Sequence, residues 1–185
     1  MAHFDTTATI PSVSPGADDN ATGVAATLEI MRVLSEYQLT HPVRAIFPNA
    51  EDSGLLGSDA WAKRAVKEKT PIEGVFNVDS VGSTRRGEVL ILNGDQKSAW
   101  MSDIMGRVND AYGMGQAIEA RQSSAIVADD NYVRAQGMES IMIARELYKE
   151  SQYHHTANDL IEHVSIPVTV SATQIVLLSV ASLVQ

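Results

Sequence analysis

Apolar positions along this chain switch repeatedly between helix spacing and strand-length runs. Val24, Leu28, Met31 and Leu34 recur three or four residues apart, which predicts an amphipathic helix from about Gly23 to Tyr37. Asn20 and Thr22 both suit its cap. The short, mostly apolar run Val43–Phe47 predicts a buried strand. The turn Ser53–Ser58 opens a helix reaching about Lys69, which Pro71 closes. Further strands are predicted over Ile72–Val78, Val89–Leu92 and Ile141–Ala144, with a short one near Ala117–Ala120. Helices are expected from about Ser98 to Tyr112 and from about Thr169 to Val184, and loops over Ile10–Asn20 and Glu146–Ala157. Strands alternating with helices indicate one α/β domain whose sheet is covered on both faces. Ligands in such sheets bind beyond the C-terminal ends of the strands.

Composition narrows the classes of partner. Hydrophobic residues make up 44% and charged residues 20%, and 23 acids against 14 bases leave a formal charge of -9. Basic residues are scattered rather than clustered, which argues against nucleic acid as a partner. With no cysteine in the chain, disulfides and thiolate ligands are excluded, leaving histidine and carboxylate as the strong metal donors. Met1 to Ala8 has neither a basic nor an apolar leader segment, so no signal peptide is read there. The apolar stretch Val164–Val184 is broken by Pro167, Thr169, Ser171, Thr173, Gln174, Ser179 and Ser182, the pattern of a core helix rather than a membrane span.

Candidate chemistry gathers at predicted strand ends and turns: His3-Phe4-Asp5, Asp18-Asp19, Glu51-Asp52, Asn77-Val78-Asp79, and His154-His155 with Asp159. Each has a plain structural reading. Acids before a helix cap it, acids after a strand sit in solvated turns, and a histidine near a terminus often does nothing. Five such spots in order fit a divalent cation site better. A carboxylate shared by two ions about 3.5–4 Å apart would make a hydrolytic centre.

The same residues carry a family resemblance that covers nearly the whole chain. His3-Phe4-Asp5 resembles the metal-binding His-x-Asp of the zinc aminopeptidases of metallopeptidase family 28. Gly16-Ala17-Asp18-Asp19-Asn20-Ala21-Thr22-Gly23 resembles their Gly-Ala-Asp-Asp turn, and Glu51 to Ser58 their Glu-Glu/Asp-x-Gly-Leu-x-Gly-Ser element. Asn77 to Gly82 and His155 to Asp159 match two later elements in the same order. The resemblance implies a three-layer α/β/α fold of the zinc exopeptidase type, with a central mixed, mostly parallel sheet. It implies two divalent ions, zinc foremost, with manganese or cobalt as alternatives. Asp18 would bridge them, His3 and Asp79 would complete one site, and Asp52 and His155 the other. Glu51 would be the general base, Asp5 would orient His3, and Asp19 would follow the bridge at a cis peptide. The implied substrate is a peptide or amino-terminal amide.

The chain departs from the family pattern in several places. Only Met1-Ala2 precede His3, so the domain, residues 1–185, is expected to be shortened at its N-terminus and to expose a sheet edge open to self-association. Asp130 stands where the family has the His of Ser-Asp-His, Ala125 near the place of an assisting Tyr, and Asp52 in place of the commoner Glu. His154 is read as a loop residue or back-up ligand. Aminopeptidase is the leading reading. A two-metal carboxypeptidase or amidohydrolase, and a metal-binding homologue without turnover, remain as alternatives. Relatives of this kind are often exported, and location stays open.

Overall fold

Strands β1 (Val75–Val78), β2 (Leu90–Asn93), β3 (Ile118–Arg121) and β4 (Ser140–Ala144) form one sheet in the order β1-β4-β2-β3. β1 pairs with β4, and β2 with β3, in parallel; β2 and β4 run antiparallel, so the sheet is mixed as expected. This computed structural model describes residues 1–7, 14–83, 89–145 and 152–184; parts of both predicted loops, residues 10–13 and 146–151, lie outside them.

Helices α1 (Gly23–Leu34), α3 (Ala99–Ala111) and α5 (Ile166–Val184) pack together on one face. Helix α2 (Leu56–Lys67) packs on α4 (Asp130–Ala135), which lies against β1 and β4 on the other. The result is the three-layer α/β/α arrangement. Alternation along β4 divides its side chains: Ile141 and Ile143 join the main core with Ile30, Leu90, Leu92, Met101 and Ile175, while Met142 and Ala144 pack with Ala128. Every residue of β2 and β4 is buried, which explains why these strands read as continuous apolar runs.

Two predictions need correction. Val43–Phe47 is half-buried and carries no ladder. Ala2 N–H donates to Ile46 O and Phe4 N–H to Pro48 O, the spacing of a parallel pair. The return bond would come from Pro48, which has no N–H, so the ladder stays open. On its other side the 1–4 segment joins β1, where Val78 N–H donates to Met1 O at 2.8 Å. Helix α5 begins at Ile166, earlier than predicted, because Pro167 is tolerated in a first helical turn. It is long and apolar enough by composition to cross a membrane, but Val168, Ala172, Ile175 and Val176 are buried, on a helix packed against α1 and α3. The Thr173 and Ser179 hydroxyls donate one turn back, to Thr169 O and Ile175 O, which lets polar residues sit in an apolar helix.

Candidate metal centre

The site is assembled from the loop at the end of β1 and from four other segments, carrying His3, Asp19, Glu51-Asp52 and His155. Beyond β1, the amides of Ser80, Val81 and Gly82 donate in turn to Asn20 Oδ1, Thr22 Oγ1 and Asp18 Oδ1. Asn20 also donates to Val78 O and accepts from Gly23 N–H, so it ties the start of α1 to the strand end. A Cβ at Gly23 would run into Val78 O and Asn20, which is why the helix can begin directly on the strand. From the other end of the chain, Asp159 accepts the amides of Asp18 at 2.8 Å and Asp19 at 3.0 Å. Asp19 (φ -108°, ψ 88°) and Asn20 (φ -135°, ψ 44°) are therefore held out of helical geometry.

This stitching decides which acid faces the histidines. Asp18, expected to bridge, accepts instead from Gly82 N–H and the Thr22 hydroxyl. Asp19 takes the central place. Its Oδ1 lies 3.2 Å from His3 Nε2, and its Oδ2 lies 3.3 Å from both His155 Nε2 and His154 Nδ1. The cis peptide is Asp19–Asn20, one residue later than the resemblance implied. Asp79 Oδ1 stands 3.5 Å from His3 Nε2, and Asp52 Oδ1 stands 2.6 Å from His155 Nε2, so the shorter aspartate does reach. Asp5 meets His3 mainly through its backbone: His3 Nδ1 lies 3.1 Å from Asp5 O and 3.8 Å from Asp5 Oδ1, and the same carboxylate oxygen accepts from Glu51 N–H. Glu51 lies beside His3 and Asp79. Ala50, Ser80 and His155 all have positive φ, near 50–60°. Left-handed backbone at non-glycine residues costs about 1–2 kcal/mol each and gathers where the surroundings enforce it.

Asp129 was not expected in this cluster, and His154, read as a loop residue or back-up ligand, lies within it. His154 stacks on His155 with ring centroids 4.0 Å apart. Asp129 is fully buried and close enough to affect both His3 and Glu51. Asp130, the replacement for a family His, is buried and paired with Arg134 one helical turn on. Ala125 is exposed.

The chemistry of the donor set fits divalent cations. Asp5 O can only accept, so His3 Nδ1 carries the hydrogen and a neutral ring presents its Nε2 lone pair to the oxygens of Asp19 and Asp79. Lone pairs facing one another require a proton or a metal between them. His3 Nε2 and Asp52 Oδ2 are buried, with no hydrogen-bond partner among the described residues. Imidazole nitrogen with carboxylate oxygen, and no sulfur, suits zinc, manganese or cobalt. His3, Asp79 and Asp19 Oδ1 would hold one ion; His155, Asp52 and Asp19 Oδ2 the other.

Without metal, the same crowding shifts the titrations. Burial pulls His3 down, but the Asp19 and Asp79 carboxylates outweigh it and the ring is pushed up to about 12. His155 is pushed up to about 10, chiefly by Asp19 and then Asp52. Burial works against Asp19, yet His155 and His3 hold its carboxyl below the usual range. These raised histidines stabilise the metal-free fold fully below their unfolded value of 6.5, and that contribution is lost as pH rises towards 10 and 12. Metal must displace the same protons, so its binding strengthens with pH. Chelated protein is thus expected to melt at lower temperature from about pH 6.5 to about pH 9, while the rise in Tm on adding zinc grows across the same interval. Thermal melts with and without zinc at three pH values check both signs.

Together the fold and the donors define an α/β/α protein with buried His/Asp/Glu clusters that fit divalent metal ions. The chain belongs to peptidase family M28, whose profile matches residues 1–180. It is 28% identical over 169 residues to aminopeptidase YwaD of Bacillus subtilis strain 168, covering 89% of this chain and 36% of that protein. Among solved structures it is similar to the zinc aminopeptidase BSAP from Bacillus subtilis (TM-score 0.86, 27% identity, all of this chain and 45% of that one). It is also similar to an aminopeptidase from Aneurinibacillus sp. strain AM-1 (TM-score 0.85, 26% identity, all of this chain and 42% of that one). The chain spans less than half the length of these relatives.

Proposed function

We propose that this chain carries the two-metal centre of an aminopeptidase, hydrolysing the N-terminal peptide bond of a peptide or amide. The observation that best supports this is Asp19, one carboxylate whose two oxygens face different histidines, His3 and His155. Two bound ions, most simply zinc as in the similar Bacillus enzyme, supply Lewis acidity that lowers the pKa of a water and polarises a carbonyl. Glu51 accepts the water proton and returns it to the leaving amine. Asp5 fixes Glu51 by accepting its backbone N–H, and the Asp5 carbonyl sets the His3 tautomer. Asp159 holds Asp19 in place through two backbone amides. The charges acting on His3, Asp19, Glu51 and His155 are carboxylates and imidazoles, surroundings that favour the free ammonium of a substrate N-terminus over a C-terminal carboxylate.

Leucine p-nitroanilide and its N-acetylated analogue test the proposal, each assayed before chelation, after it, and after zinc is restored. Chelation should abolish release, zinc should restore it, and the blocked analogue should remain intact. Undiminished release from metal-free protein would refute the metal requirement. Equal cleavage of the blocked analogue would refute the exopeptidase assignment.

A further inference from the structure

We propose that His154 is an additional metal ligand, so that the two cation positions are unequal and the one at His155 is the tighter. This rests on the two-metal reading above and extends it to a residue that reading does not use. His154 Nδ1 and His155 Nε2 lie equally far, 3.3 Å, from the same oxygen of Asp19. The two nitrogens and a carboxylate oxygen of Asp19 all fall within 4.8 Å of one another, close enough to share one ion.

Adjacent residues in an extended chain point to opposite sides, so two consecutive histidines should not converge. Here they do, because His155 adopts φ 59°, a left-handed conformation uncommon for this residue type. That turn brings the imidazoles into a stack at 4.0 Å and 28°, with both nitrogens towards Asp19. In the tautomer with hydrogen on Nε2, His154 Nδ1 offers a lone pair.

The donor sets then differ. The His155 position has two nitrogens, His154 Nδ1 and His155 Nε2, each 3.3 Å from Asp19 Oδ2, with Asp52 Oδ1 2.6 Å from His155 Nε2. The His3 position has one nitrogen with Asp19 Oδ1 and Asp79 Oδ1. Zinc prefers imidazole to carboxylate more strongly than manganese does, so zinc should fill the His155 position first.

Zinc titration of the metal-free protein, in competition with a chromophoric chelator, tests this directly. Wild type should show two separate affinities, and His154→Ala should weaken the tighter by at least about tenfold. His154→Gln, which keeps the bulk of the side chain, should lose the same affinity. Cobalt absorption should weaken in both variants as a nitrogen donor is lost. His163→Ala, which removes the imidazole stacked on Tyr153 in the same region, should leave both affinities unchanged. Unaltered zinc affinities in both His154 variants would overturn the proposal, as would equal weakening by His163→Ala. His155→Ala separates the two readings: if it too leaves zinc binding intact, the metal centre itself is misassigned, whereas if it alone weakens binding, only the role of His154 fails.

Discussion

Asp19→Ala is expected to abolish binding of both metal ions and reduce peptidase activity to background, while Asp18→Ala keeps both ions. The two residues are adjacent and chemically identical, yet their surroundings assign opposite tasks. Asp19 places one oxygen beside His3 and the other beside His155, so its loss removes a donor from each cation position at once. Asp18 accepts from Gly82 N–H and Thr22, and its loss leaves those donors unpaired. That costs about 1–3 kcal/mol of stability but no metal donor. Metal analysis after gel filtration, read beside thermal melts, separates the outcomes. If Asp18→Ala loses the metals and Asp19→Ala retains them, Asp18 is the bridge and the geometric assignment is wrong.

The sequence shows the order of the candidate elements because each candidate ligand sits in a short stretch with its own local requirements. Asp79 closes a strand, Glu51-Asp52 leads into a helix, and the acidic turn precedes another. What sequence reading misses is set by contacts between distant segments. Which carboxylate of Asp18-Asp19 turns inward depends on Asp159, some 140 residues later, and on amides beyond β1. The convergence of His154 with His155 depends on one backbone angle that residue identity does not announce. Val43–Phe47 has the composition of a strand and lies along the sheet, but its neighbour Pro48 cannot return a hydrogen bond. Helix α4 is six residues long, too short for a periodic signal, and it brings Arg134 to Asp130. The strand core was legible for the opposite reason: β2 and β4 are buried on both faces, and an apolar run states that directly.

Glu51→Gln should keep two metal ions and lose turnover by about 10²–10⁴-fold, with little change in KM. The substitution preserves size and leaves His3, Asp19, Asp52, Asp79 and His155 in place, but an amide cannot accept the proton of the attacking water. The metal-free protein offers a second readout. There, burial first and the carboxylates of Asp79, Asp129 and Asp52 next push Glu51 up to about 9, with His3 opposing. An acid raised in the folded state weakens the fold as pH climbs from its ordinary 4.5 to that value, because the unfolded chain ionises first. Glutamine has no such charge to suppress, so chelated Glu51→Gln should melt higher than chelated wild type near pH 8 to 9. On the proposed reading, a cation in the cluster would offset the same repulsion and free Glu51 to act as the base. A variant that is inactive, metal-replete and more stable when chelated would tie catalysis to this carboxylate alone. Wild-type turnover in that variant would instead place the base elsewhere, and buried Asp129, whose charge reaches His3 and Glu51, would be the next residue to replace.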